Sequence, residues 1–185
     1  MPLLDKDIRE PLFLFFELKY GKVRFIEEKD IGRARADVMM VTDDAVTGLE
    51  IKSDADSYVR LKKQVRYYDK YFDYNYAVVG KSHSKHIEEH IPKYWGVLVC
   101  FEDEDGVHFE EVKEPERNPK RKLDLKMSLL WRNELNNIRD DCLRYKYEHL
   151  SKPALRAKLI EKVSEDKLDE LISRELFNRD YTKYM

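Results

Sequence analysis

Three short apolar runs, each closed by turn-forming residues, are packed into residues 23–52 and leave this chain little choice of architecture. Val23-Arg24-Phe25-Ile26 is the first. Residues 36–42, with Val38, Met39, Met40 and Val41, make the second, and Leu49-Glu50-Ile51-Lys52, with clean alternation, the third. Gly21, Gly32 and the Asp- and Thr-rich stretch 42–48 bound them, so they read as strands. The flanking segments repeat at helical spacing instead. Asp7 is placed to cap a helix with Glu10 as its capping-box partner, Pro11 falls in the first turn, and Leu12, Phe13, Leu14, Phe15, Phe16 and Leu18 continue it to Gly21. Asp54 or Asp56 opens a second helix that runs to about Phe72, with Leu61, Val65, Tyr68 and Phe72 on one stripe. Residues 74–79 and 96–101 are further buried strands, 107–112 an edge strand, and 85–90 a short helix. The pattern predicts an α/β fold, a central mixed sheet flanked by helices.

From residue 113 the character changes. Residues 113–122 hold two prolines and many charges and read as a linker. Beyond it the repeat is purely helical, over 123–150, 154–163 and 166–178. The expected organisation is therefore a core over 1–112, a linker over 113–122 and a helical C-terminal extension over 123–185. A length of 185 residues suits one domain with an appendage, and 42% apolar residues suffice for a real core. The apolar faces of the extension exceed what an isolated appendage needs, so it is expected to pack on the core or to form a homodimer. Cys100 and Cys142 lack metal-ligand spacing and read as reduced thiols of a cytoplasmic protein. The first ten residues carry no cleavable signal pattern, and the apolar stretch 12–16 is too short to span a bilayer, so no membrane partner is expected.

Charge decides little globally. Lys and Arg number 35 against 37 Asp and Glu, a net charge of -2, so any nucleic-acid contact has to come from a local patch. The informative charges lie inside the apolar strands. Hydrolysis of a phosphodiester needs hard oxygen ligands for Mg²⁺ or Mn²⁺, an activated water and a cation to offset charge at phosphorus. One Asp on a strand and an acid and Lys two residues apart on the next would supply them, since residues two apart share a strand face. The acid-x-Lys pattern alone is weak, because the chain carries it six times: at Glu17/Lys19, Glu27/Lys29, Glu50/Lys52, Glu111/Lys113, Asp124/Lys126 and Glu165/Lys167. Only Glu50/Lys52 sits within an apolar strand that follows another apolar strand bearing an Asp, Asp37. Charges buried there are costly unless paired or bound to metal.

Arg35-Ala36-Asp37-Val38 followed by Leu49-Glu50-Ile51-Lys52 resembles the signature of the PD-(D/E)XK nuclease superfamily. Gln64 and Tyr68, one helical turn apart, resemble the Gln-x-x-x-Tyr motif of its RecB-like members. The match covers roughly residues 7–101, with Ala36 where the family has proline. Gly32-Arg33-Ala34-Arg35-Ala36-Asp37, Tyr94-Trp95-Gly96, Leu130-Trp131-Arg132-Asn133-Glu134-Leu135, and the stretch from Ser151-Lys152 to Arg179-Asp180-Tyr181 are similar to a small bacterial and phage subgroup. The resemblance implies a restriction-endonuclease-like core and a catalytic centre of Asp37, Glu50 and Lys52. Asp37, Glu50 and the Ile51 carbonyl would be metal ligands and Lys52 would act on the attacking water. Gln64 and Tyr68 would support the site or contact nucleic acid. An upstream acid would come from Glu10, Glu17 or Glu28. Arg35, expected on the face of Asp37, would hold a phosphate or pair with a carboxylate.

The implied function is Mg²⁺-dependent hydrolysis of DNA in repair, recombination or phage and defence processes. The alternatives are an RNA nuclease, or a non-catalytic nucleic-acid-binding or assembly module that keeps the fold. Tyr67, Tyr71, Tyr74 and Tyr76 read first as packing residues, His83, His86 and His90 as surface histidines, and the basic run 117–122 as solvated linker. Trp95 and Trp131 read as core or interface anchors. No phosphate-binding Gly-rich loop and no Ser/His/Asp arrangement occurs, so no nucleotide cofactor is expected.

Overall fold

The fold is known from a computed structural model that describes residues 3–184. Helix α1 (Asp5–Tyr20) precedes strands β1 (Arg24–Ile31), β2 (Ala34–Val41) and β3 (Val46–Lys52). A 3-10 turn at Tyr58–Arg60 leads into α2 (Leu61–Tyr71), followed by β4 (Tyr74–Gly80), β5 (Gly96–Asp103) and β6 (Gly106–Lys113). Four helices close the chain: α3 (Leu123–Met127), α4 (Arg132–Cys142), α5 (Lys152–Lys162) and α6 (Glu165–Phe177). The strands form one six-stranded sheet in sequence order. β1, β2 and β3 pair antiparallel, β3, β4 and β5 pair parallel, and β6 returns antiparallel. The expected mixed α/β sheet flanked by helices is what forms.

Both faces of the sheet are covered, which is why its central strands read as continuous apolar runs. On one face α1 buries Ile8, Leu12 and Phe16, spaced at four, against Val38, Met40, Leu49, Ile51, Tyr76 and Val78. Each such side chain contributes roughly 1.5–3 kcal/mol of burial. The other face meets α2 through Leu61, Val65 and Tyr68, with Phe72 just past its end, together with apolar residues of α3 to α6. Residues 123–177 thus share one core with the sheet. Lys113 still belongs to β6; residues 114–122 lack regular structure, yet the segment is anchored. Asn118 is buried and donates to the carbonyls of Asp69 and Phe72 at 2.9 and 2.8 Å.

Several boundaries differ from the sequence expectation. α1 begins at Asp5, so Asp7 is its third residue, accepting from the Leu4 N–H at 3.1 Å, and Pro11 lies inside the helix. The packing of Leu3 and Ile8 beneath the sheet holds that early start. β1 is twice the length of its apolar run, because pairing with β2 carries the polar residues 27–30 along with it. Residues 143–150 are not helical, so the expected helix 123–150 is the two helices α3 and α4. Residues 85–90 form only a 3-10 turn at Ile87–Glu89. No helix of the described residues is long and apolar enough to cross a membrane.

Candidate active site

The site grows out of an irregularity in β2. Ala36 is buried on the α2 face, yet Val38, two residues on, is buried on the α1 face. A regular strand would send both the same way. Asp37 sits at the switch, opposite Glu28, whose φ of 52° is unusual for a side-chain-bearing residue. The Asp37 backbone is held from both layers. Its N–H donates to the Tyr68 hydroxyl at 3.0 Å, and its carbonyl accepts from Arg9 Nη1 at 3.2 Å. The Asp37 carboxylate then turns to the neighbouring strand, where Oδ2 accepts the Ile51 N–H at 2.8 Å.

On β3, alternation sends Leu49 and Ile51 to the α1 face and Glu50 and Lys52 to the α2 face. Glu50 is fully buried and Lys52 nearly so. The Lys52 ammonium donates to Glu50 Oε1 and lies 3.4 Å from the Ile51 carbonyl. Glu50 Oε2 is buried with no hydrogen-bond partner among the described residues. Burial pushes the Asp37 carboxyl up to about 6, against the lowering effect of the Ile51 N–H and Lys52. Burial, and next the charge of Asp37, push Glu50 up to about 7, and Lys52 offsets only part of this. The half-buried Asp37 carboxylate thus works against the ionisation of the fully buried Glu50.

Helix α2 positions the pair. Tyr68 is fully buried, and its hydroxyl donates to the Leu49 carbonyl at 3.2 Å while accepting from Asp37. One phenol therefore ties together the two strands that bear the acids. Gly48 makes this possible. A Cβ there would lie 2.3 Å from the Phe72 ring and 2.6 Å from the Tyr68 ring, so only glycine lets α2 come this close. Gln64, one turn before Tyr68, lines the cleft with a buried Oε1 that has no partner among the described residues.

The cleft has a volume of about 400 Å³ and brings Asp37, Ile51, Lys52, Gln64, Arg35 and Glu28 together. Arg35 is exposed and pairs with Glu28 at 2.6 Å. Of the three upstream acids considered, Glu10 and Glu17 are exposed on α1 and do not line the cleft. Glu28 does line it, but Arg9 and Arg35 hold it. Sequence reasoning missed Asp5 and Arg9, which also line the cleft. Asp5 pairs with Arg9 at 2.7 Å, and Arg9 reaches Glu27 and Glu28 as well. Their spacing of four was a usable signal, but placing the helix start at Asp7 left Asp5 outside the helix.

The donor set suits a small hard cation. Two carboxylates with unspent oxygen capacity and a backbone carbonyl match an ion that keeps most of its own waters, as Mg²⁺ does. No cluster of three or more His, Cys, Asp or Glu that could hold a metal occurs among the described residues. His83, His86 and His90 are accordingly engaged elsewhere. His83 Nε2 lies 3.1 Å from the Asp56 carbonyl, His86 pairs with Glu89, and His90 packs on Tyr58.

Of the subgroup motifs, the stretch 32–37 lines the cleft through Arg33, Arg35 and Asp37, and the others pack away from it. Trp95 is buried and donates to Asp69 at 2.8 Å, with Tyr94 on the same carboxylate at 2.7 Å. Glu134 takes Arg179 in a buried two-pronged pair at 2.7 Å on each arm, and Arg179 stacks on Trp131. These contacts fix α2 and the C-terminal helices rather than the acids.

A family model described as bacteriophage P4 protein cII matches residues 18–184. No curated protein matches the chain. Among solved structures, "The structure of Pyrococcus Furiosus SfsA in complex with Ca2+" is similar at 15% identity with a TM-score of 0.36. The likeness covers 60% of this chain and 62% of that one, so the chain spans less than two thirds of that structure's length.

Proposed function

The chain belongs to the bacteriophage P4 protein cII family, and we propose that its Asp37–Glu50–Lys52 centre hydrolyses phosphodiester bonds of DNA in the manner of PD-(D/E)XK nucleases. One observation carries the reading: Asp37 and Lys52 line the cleft, and Glu50, fully buried on the same strand face as Lys52, keeps its Oε2 unpartnered among the described residues. A divalent cation held by Asp37, Glu50 and the Ile51 carbonyl would supply Lewis-acid activation of water and neutralise charge at the phosphate.

The chain's own residues have distinct tasks. Lys52 keeps its ammonium on Glu50, ready to orient the attacking water and to offset charge developing on the phosphoryl oxygens. Tyr68 positions Asp37 through the backbone and is too deeply buried to meet a substrate. Gln64, with its free buried carbonyl oxygen at the cleft wall, orients water or substrate from the side of α2.

Purified protein incubated with Mg²⁺ or Mn²⁺ and single-stranded, nicked and duplex DNA is expected to cleave at least one of them. Asp37→Ala and Glu50→Ala are expected to abolish cleavage, and cleavage that survives both would sink the assignment. RNA competitors decide between DNA and RNA. A second reading, a nucleic-acid-binding or assembly module without catalysis, draws on the missing third carboxylate among the described residues. Titration calorimetry separates the two, since absence of Mg²⁺ and Mn²⁺ binding with nucleic-acid binding intact favours the second.

A further inference from the structure

This chain pairs its charges thoroughly. Buried and surface ion pairs occupy most of its helices, from Arg9 in α1 to Arg174 in α6. The exposed face of α2 is different. Lys63, Arg66 and Lys70, at positions i, i+3 and i+7, form one stripe of exposed cations with no carboxylate partner among the described residues. At the start of α2, Arg60 and Lys63 line the acid cleft. Arg33 lines it from the opposite wall, at the tip of the β1–β2 hairpin, and it too has no ion pair among the described residues. The hairpin tip rests on α2: a Cβ on Gly32 would lie 3.0 Å from the Tyr67 ring. At the other end of α2, the Lys122 N–H donates to the Lys70 carbonyl at 3.0 Å, which brings exposed Lys122 alongside. Arg66, Lys70, Lys120 and Lys122 line a second hollow there together with Asp69, which Lys120 approaches to 3.7 Å.

The cations are therefore continuous from the cleft to the start of the C-terminal helices, over the roughly 16 Å that eleven helical residues span. Leaving so many like charges side by side costs self-repulsion, and a polyanion relieves it. Consecutive phosphates along a nucleic-acid strand supply negative charge at comparable spacing. Neutral small molecules and apolar peptides offer nothing to this surface. Asp69, the acid within α2, is buried and spends its carboxylate on Trp95, Tyr94 and Lys120, so the stripe stays net basic.

We propose that this stripe is a track for the sugar-phosphate backbone of a polynucleotide. Arg33, Arg60 and Lys63 grip it beside the acids, and Arg66, Lys70 and Lys122 guide it away along α2. The assignment rests on reading the cleft as a phosphodiester site, but its test does not use cleavage. Binding of fluorescein-labelled single-stranded and duplex DNA is measured by anisotropy in EDTA over a series of salt concentrations. The variant Lys63→Ala/Arg66→Ala/Lys70→Ala places the best helix former at three exposed positions, so it is expected to fold, which circular dichroism checks. Each lost phosphate contact makes the slope of log K against log salt shallower by about 0.7 on a single strand and about 0.9 on a duplex. The triple variant should therefore lose about 2 on a single strand or about 2.7 on a duplex, and the arm that shows its full loss identifies the bound form.

Lys158→Ala/Lys162→Ala/Lys167→Ala removes the same charge from α5 and α6 and should leave the slope unchanged. Equal losses in both variants, or no loss in either, overturns the track. Wild-type cleavage with no slope change in the α2 variant overturns the track and leaves the nuclease reading standing. A slope loss without any Mg²⁺- or Mn²⁺-dependent cleavage does the reverse.

Discussion

Glu50 is closed off from water and Asp37 half-buried at the cleft wall, and that has a measurable consequence. Their carboxyls titrate near 6 and 7, above the ordinary value of about 4. Between about pH 4 and 7 the folded chain therefore binds more protons than the unfolded chain. Stability from this pair is present at low pH and falls as pH rises through that window. In EDTA, the pair should make the wild type progressively less stable from pH 4 to 7. Asp37→Asn, which can still accept the Ile51 N–H, should flatten that dependence and stabilise the metal-free protein at pH 7.5 by on the order of 1–3 kcal/mol. Added Mg²⁺ should raise the Tm of the wild type more than that of the variant. Identical pH profiles would remove the electrostatic argument. Tyr68→Phe tests the other side of the site. It leaves the Asp37 N–H without its partner in a closed layer and should cost about 1–3 kcal/mol in urea titrations. Metal affinity should fall with it, because the hydroxyl fixes Asp37 relative to β3.

Among the elements, α2 and β3 depend on each other. Their close approach at Gly48 places Tyr68 between the two acid-bearing strands. Gly48→Ala would drive a methyl into the Phe72 and Tyr68 rings and should destabilise by about 1–3 kcal/mol, with loss of the site geometry before loss of the fold. Near-ultraviolet circular dichroism against far-ultraviolet would separate these, and an unaltered aromatic signal would contradict the packing argument. The strands β2 and β3 were legible as apolar runs, and Gln64 and Tyr68 as a helical pair. The switch of facing at Asp37 was not, because it depends on Glu28, Arg9 and Tyr68 arriving from three other elements.

The whole molecule is held by a buried charge cluster that joins the sheet to the last helix. Lys126 is fully buried and lies 2.7 Å from Asp73 and 2.8 Å from Asp169. Arg121 closes the group at 3.1 Å from Asp73 and 2.8 Å from Asp169. Asp73 also accepts the Val46 N–H at the start of β3. The cluster therefore ties β3, the segment before α3, and α6 into one unit. Lys126→Met would leave two buried carboxylates short of a counter-charge and should cost about 3–5 kcal/mol. Denaturation followed by Trp95 and Trp131 fluorescence and by far-ultraviolet circular dichroism should show one coincident transition in the wild type. Two separated transitions would mean that the C-terminal helices stand apart from the sheet.

The sequence by itself determined the strands, the helices at their flanks and the three residues at the centre of the candidate site. Those features are local. Apolar alternation, turn residues and a two-residue spacing on one strand face are written in neighbouring positions. Six acid-x-Lys pairs share one spacing; the apolar strand setting singled out Glu50/Lys52, and the structure buries both members of that pair. Only the tertiary structure decided that Asp5 and Arg9 join the cleft, that Glu10 and Glu17 face away, and that residues 113–122 are anchored rather than free. It also made Lys126, one member of a discounted pair, the most deeply buried cation at the seam. The reason is physical: a charge's role is set by which charges, dipoles and waters surround it, and residues far apart in the chain supply that surrounding.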